Sequence, residues 1–137
     1  MPKIIGIGGV FLFARDTGLL ADWYTRHLGF SLERMVEDDQ SVTYYQELYY
    51  RDLDDPEVKL HTVFAIMPAR EELSATRDQA MINYRVDDLD AFVEQLHEAG
   101  VKTGPVHIAM DGEGRGKFTR LSDPEGNRIE LWEHLGS

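Results

Sequence analysis

Two stretches of this chain repeat one another. Ala14-Arg15-Asp16 returns as Val86-Asp87-Asp88 after 72 residues, and Leu28-Gly29-Phe30 returns as Ala99-Gly100-Val101 after 71. Around each pair the hydrophobic pattern changes in the same order: a strand, a helix, then three strands. A β-α-β-β-β half of this size leaves one sheet face bare and has too little apolar area to stand alone. In a chain of 137 residues, two such halves can share what neither has. The expected fold is therefore α+β, two βαβββ modules forming one curved mixed sheet, with helices outside and a cavity on the concave side. The chain 1–137 then reads as a single domain: module one over about 3–67, a linker over about 68–78 and module two over about 79–134.

The element boundaries follow from local signals. Ile4 to Ala14 is β-branched and aromatic, a strand apolar on both faces. Asp16 offers an N-cap to a helix with Leu20, Trp23, Tyr24, His27 and Leu28 at three- and four-residue spacing. Gly29 ends that helix as a left-handed C′ residue. Phe30 to Val36, Val42 to Tyr50 and Lys59 to Met67 complete module one as strands. Pro68 to Asp78 is charged and proline-started, a linker. Met81 to Val86 resumes as a strand, and Asp88 caps a helix with Leu89, Phe92, Val93 and Leu96 on one face. Gly100 terminates it. Pro105 to Ala109, Lys117 to Leu121 and Arg128 to Glu133 are the last strands, with Asp123-Pro124-Glu125-Gly126-Asn127 as the turn between the final two.

Composition removes several classes of function. The chain carries 25 acidic against 14 basic residues, a net charge of −11 that repels a phosphate backbone, so nucleic acid is not an expected partner. No apolar run reaches membrane-spanning length and no secretory signal pattern opens the chain. With no cysteine there is neither a disulfide framework nor a thiolate site. A cytoplasmic protein is the expectation. Gly6-Ile7-Gly8-Gly9 has Phe11 where a dinucleotide fingerprint needs glycine, and Gly116-Lys117 has Phe118 where a P-loop needs Ser or Thr.

Taken together, the two modules, the helix Trp23-Tyr24-x-x-x-Leu28-Gly29-Phe30 and the closing Asp123-Pro124-Glu125-Gly126-Asn127-Arg128-Ile129-Glu130-Leu131 resemble the vicinal oxygen chelate superfamily. That group holds glyoxalase I, bleomycin-resistance proteins, fosfomycin-resistance enzymes and extradiol dioxygenases. Met81 to Asp90 looks similar to a bacterial branch of it. The resemblance implies homodimers and, in the metal-dependent members, ligands on four cavity-facing strands. Here the first of those positions is Gly9 and the third Met81; Glu130 keeps the last. His61 becomes its counterpart if Leu60-His61-Thr62-Val63 is laid over Ile129-Glu130-Leu131-Trp132. Glycine gives no donor and a thioether is a poor ligand for hard or borderline cations, so no cofactor is firmly expected. A divalent metal, if bound at all, would use His61 and Glu130.

Alternation across strands places Phe11 and Phe13 on the face of Gly9, Asn83 and Arg85 on the face of Met81, and Trp132 and Arg128 on the face of Glu130. These make an apolar wall with a few polar groups, the usual anatomy of a small-molecule site. Gly9 is expected to deepen the pocket. Arg85 and Glu130 are expected either to meet a ligand or to pair with each other. Tyr44, Tyr45, Tyr49 and Tyr50 alternate along one strand, His107 sits on another, and the glycine-dense Asp111 to Lys117 forms a rim loop. The expected function is binding of a small organic molecule without a complete metal site; the resemblance to the acidic, drug-sequestering dimers of this superfamily implies a cationic aromatic ligand, with which the charge of −11 is compatible. The alternative is an enzyme of lyase, isomerase or dioxygenase type with Glu130 as general base or metal ligand.

Overall fold

The computed structural model describes residues 7, 9–73, 80–111 and 114–136. Its contacts divide the chain into two compact units, Met1–Leu73 and Ser74–Ser137. Each is a four-stranded mixed sheet with one helix, in the order β-α-β-β-β. The ladders form two separate sheets, with no strand pairing from one to the other among the described residues. Among the described residues no helix is long and apolar enough to cross a membrane.

In the first unit, β1 (Gly9–Ala14) precedes α1 (Thr17–Leu28), followed by β2 (Glu33–Val36), β3 (Val42–Arg51) and β4 (Lys59–Pro68), in the sheet order β1-β4-β3-β2. The Asp16 carboxylate accepts the Leu19 N–H at 3.0 Å, and Gly29 takes φ 76° while Phe30 N–H donates back to the Tyr24 carbonyl. The helix covers Val10, Leu12, Ala14, Phe64 and Ile66 of the sheet. Buried Tyr24 and Phe64 meet Phe30 there, with ring centroids 4.4–5.6 Å apart. Pro68 closes β4 instead of opening a linker, and Ala69 N–H still donates to the Ala14 carbonyl. The expected strand residues Ile4 to Gly6 and Gly8, and the expected linker residues 74–78, lie outside the described residues.

The second unit repeats the plan with β5 (Met81–Arg85), α2 (Leu89–Glu98), β6 (His107–Asp111), β7 (Gly114–Ser122) and β8 (Arg128–Gly136), ordered β5-β8-β7-β6. Asp88 caps α2 by accepting the Ala91 N–H, and Val101 N–H returns to the Leu96 carbonyl past Gly100 at φ 78°. Leu89, Leu96, Ile129 and Leu131 form the core. Glu133 receives the Leu89 N–H at 2.7 Å and Lys117 pairs with Asp90, so two polar contacts from the sheet hold the start of the helix. The β7–β8 turn is tied by the buried Asp123, whose carboxylate accepts the N–H groups of Glu125 and Asn127 and the Asn127 side-chain amide. Strands β6 to β8 each differ from their expected limits by one to three residues, because ladder pairing rather than composition ends them.

Candidate functional site

Helix α2 covers one face of the second sheet and leaves the other face open. Pairing fixes what shares that open face. Asn83 stands opposite Glu130 and Glu130 opposite Arg120; in the next row Arg85, Trp132, Phe118 and His107 follow one another across all four strands. Glu130 accepts the Asn83 side-chain amide on Oε1 and the Arg120 Nε–H on Oε2, both at 3.0 Å. Its side chain is 13% exposed against 56% for Arg120, so the carboxylate sits low and the guanidinium reaches outward. The Arg85 guanidinium lies 4.5 Å over the Trp132 ring. Phe118 follows at 6.3 Å from Trp132 and His107 at 5.7 Å from Phe118, tilted by only 29° and 19°.

The expected grouping of Asn83, Arg85, Glu130 and Trp132 on one face is therefore what the sheet displays. Of the two alternatives for Arg85 and Glu130, pairing with each other does not occur: Glu130 pairs with Arg120, because Arg120 stands directly across the ladder while Arg85 is one row away on Trp132. Neither Arg120 nor Phe118 was singled out from the sequence. The signal was present: a turn pairing Ser122 with Arg128 also pairs Arg120 with Glu130 and Phe118 with Trp132.

Phe11 and Phe13 lie on the open face of the first sheet, 53% and 46% exposed. Gly9 shares that face, but the Phe11 ring lies over it: a β-carbon there would stand 2.8 Å from the ring tip, so the glycine accommodates an aromatic cover rather than deepening a pocket. Tyr45 and Tyr49 occupy the same face, with Glu33 and Glu47 beside them. Tyr49 donates to Glu47, and hydrogen bonds to Glu33 and Glu47 push the two phenol pKa values upward. His61 is exposed opposite Tyr49, and Lys59 lies 4.2 Å over the Tyr49 ring.

The overlay of His61 on Glu130 is corrected by strand register. With Ala14 equivalent to Val86, Gly9–Val63 matches Met81–Arg128 and Phe11–Ala65 matches Asn83–Glu130. The counterpart of Glu130 is Ala65, four residues beyond His61. Among the described residues no group of three or more His, Asp or Glu side chains is placed to hold a metal ion. The donor chemistry does not fit one either. Gly9 offers nothing, Met81 a thioether, and a cation at Glu130 would have to displace a guanidinium from a carboxylate already engaged on both oxygens. The expected rim loop over Asp111 to Lys117 is corrected: Asp111 ends β6 and Gly114 to Lys117 belong to β7, drawn into the hairpin ladder, while residues 112 and 113 lie outside the described residues. A surface depression of about 410 Å³ lies apart from this face, along α2, lined by Asp87, Asp88, Glu94 and Glu98 among others.

Residues 6–131 match the family described as the Glyoxalase/Bleomycin resistance protein/Dioxygenase superfamily. No curated protein sequence matches the chain. Among solved structures, a glyoxalase family protein from Enterococcus faecalis is similar at TM-score 0.63 and 18% identity, covering 93% of this chain and 97% of its own. TnmS3, an antibiotic binding protein from Streptomyces sp. CB03234, is similar at TM-score 0.60 and 22% identity over 98% of this chain and 99% of its own. A protein of unknown function from Agrobacterium tumefaciens reaches 0.63 and 21%, covering 97% of each. At these identities the likeness is one of fold.

Proposed function

The chain belongs to the glyoxalase/bleomycin resistance protein/dioxygenase superfamily, and from that premise we propose that it binds a small organic molecule on the open face of its second sheet, as a cytoplasmic homodimer. One observation carries the reading. A polar triad, Asn83–Glu130–Arg120, is held in fixed geometry beside the Arg85–Trp132–Phe118 row, so convergent polar groups border half-buried aromatic surface. The similar fold of an antibiotic binding protein agrees with it. Phe11 and Phe13 remain candidates for apolar contact on the first unit's own open face.

Both oxygens of Glu130 accept hydrogen bonds, one of them from a guanidinium. Each oxygen keeps a second lone pair, but the amide on Oε1 and the guanidinium on Oε2 fix the carboxylate as a partner of its own sheet, which supports a positioning role for Glu130 over a general base. Chemistry through a metal is not part of the reading, since the donor set does not suit one.

A thermal-shift screen of metabolites and antibiotics tests the proposal. A true ligand at 100 times its Kd adds ~2.7 kcal/mol of stability, and Trp132→Ala should abolish its shift. A panel that never shifts the protein, or a shift indifferent to Trp132→Ala, overturns it. With a ligand in hand, Glu130→Gln should weaken binding through the loss of the Arg120 anchor; complete loss of a turnover with binding intact would restore the general-base reading. Light scattering should give twice the mass of one chain, and a monomer at micromolar concentration would remove the dimer.

A further inference from the structure

The chain as a whole is acidic, at −11, which by itself favours a cationic ligand. The open face of the second sheet has the opposite character. Its described side chains include Arg85, Arg120 and Arg128 against the single acid Glu130. That acid is paired with Arg120, whose charge offsets its own, so it draws a cation only weakly. Arg85 and Arg128 have no acidic partner among the described residues. Resting on the binding reading above, we infer that this face takes an aromatic carboxylate, with Arg85 as the residue that selects the carboxylate.

The geometry of Arg85 gives the reason. A guanidinium stacked 4.5 Å over an indole uses its flat face and leaves its in-plane N–H fork uncommitted. That fork matches the two oxygens of a carboxylate, and the stacked ring limits the rotamers it must give up. Arg85 sits at the end of a row, since β5 is the outermost strand of this sheet, and the half-buried rings of Trp132 and Phe118 continue the row inward. A ligand anchored at Arg85 therefore meets aromatic surface on one side, while the neighbouring Arg120–Glu130 pair, its two charges offsetting each other, leaves Arg85 as the charge that the ligand meets. An ammonium group at the same place would face the Arg85 guanidinium, with the nearby carboxylate already paired to Arg120, which is repulsive.

The test uses three naphthalene probes of nearly equal size: 2-naphthoate, 2-naphthylmethylammonium and 2-naphthalenemethanol. Binding to the full chain is followed by calorimetry. Naphthoate should bind ~10-fold or more tightly than either analogue, and Arg85→Gln should remove that advantage while leaving the alcohol within about twofold. Arg85→Lys should recover only part of it, because a point charge lacks the fork. Arg34→Gln, which removes one positive charge from the first unit, should change nothing. Equal or tighter binding of the ammonium or the alcohol overturns the inference, as does naphthoate binding indifferent to Arg85→Gln or no binding by any probe at millimolar concentration. The two readings fail separately: if the alcohol binds, Trp132→Ala abolishes it and the carboxylate gives no advantage, the binding face stands and the carboxylate preference falls.

Discussion

The two units are built on one plan and differ on one face. Toward their helices they present the same kind of surface: Val10, Leu12, Ala14, Phe64 and Ile66 in the first, Ile82, Tyr84, Val86, Ile129 and Leu131 in the second. On the open face the matched positions diverge completely. The first unit has Gly9, Phe11, Phe13, Val63, Ala65 and Met67 where the second has Met81, Asn83, Arg85, Arg128, Glu130 and Trp132. The helix-facing side has one task in both units, closing a core, and a polar group buried there needs a partner within the unit, as Thr119 has in the Gly104 carbonyl. The open face carries no such constraint from its own unit. In the second unit that freedom appears as paired polar chemistry, and in the first as apolar and tyrosine surface. A repeat unit can thus keep its framework while its two copies present different chemistry, a carboxylate–guanidinium pair in one and tyrosine–carboxylate pairs in the other.

The largest test of that contrast moves the acid across. Ala65, the counterpart of Glu130, is 3% exposed and lies between Phe11 and Tyr45 with no guanidinium opposite it. Ala65→Glu should cost about 3–5 kcal/mol in urea denaturation, as an unpaired buried charge does. Glu130→Ala, whose partner Arg120 is half in solvent, should cost only about 1 kcal/mol. Comparable losses would mean the two faces are not so different.

The two face glycines offer a smaller discrimination. A β-carbon at Gly116 would stand 2.0 Å from Trp132 Nε1, so Gly116→Ala must move the indole and the guanidinium stacked on it. It should cost about 1–3 kcal/mol and shift the Trp132 fluorescence, as overpacking does. At Gly9 the nearest obstacle is the far end of the Phe11 ring, which can swing aside, with the Val63 carbonyl behind it at 3.2 Å, so Gly9→Ala should cost less than Gly116→Ala, about 1 kcal/mol. The reverse order would contradict the packing described.

The smallest effect is in alkali. Tyr45 and Tyr49 are raised from 10.0 by hydrogen bonds to Glu33 and Glu47. A raised folded-state pKa means these bonds stabilise the first unit fully below the unfolded value and are lost as pH rises through the folded one. Ultraviolet titration should show two phenols ionising late, and Glu33→Gln with Glu47→Gln should bring them back toward the ordinary value. If all tyrosines titrate together in both proteins, those bonds do not form in solution.

Much of this was legible in the residues. Asp16 and Asp88 mark both helix starts because a short carboxylate before an apolar stripe can reach the free N–H groups of the first turn. Asp123 to Asn127 marks the final hairpin for a similar local reason. The grouping of Asn83 and Arg85, and of Glu130 and Trp132, followed from alternation alone. His61 shows where that logic stops. A period of two survives a shift of four residues unchanged, so Leu60-His61-Thr62-Val63 and Ile129-Glu130-Leu131-Trp132 look equivalent whether or not they are. Only pairing with β1 shows that Glu130 corresponds to Ala65.

The amino-acid order thus determined the duplicated βαβββ framework, its caps, its turn and which side chains share a strand face, because each depends on neighbours a few residues apart. Tertiary structure alone decided that Glu130 takes Arg120 and not Arg85, that Arg85 rests on Trp132, and that Phe11 covers Gly9. Those outcomes depend on the register between strands and on which ring reaches a given space first, and no periodicity along one strand contains either.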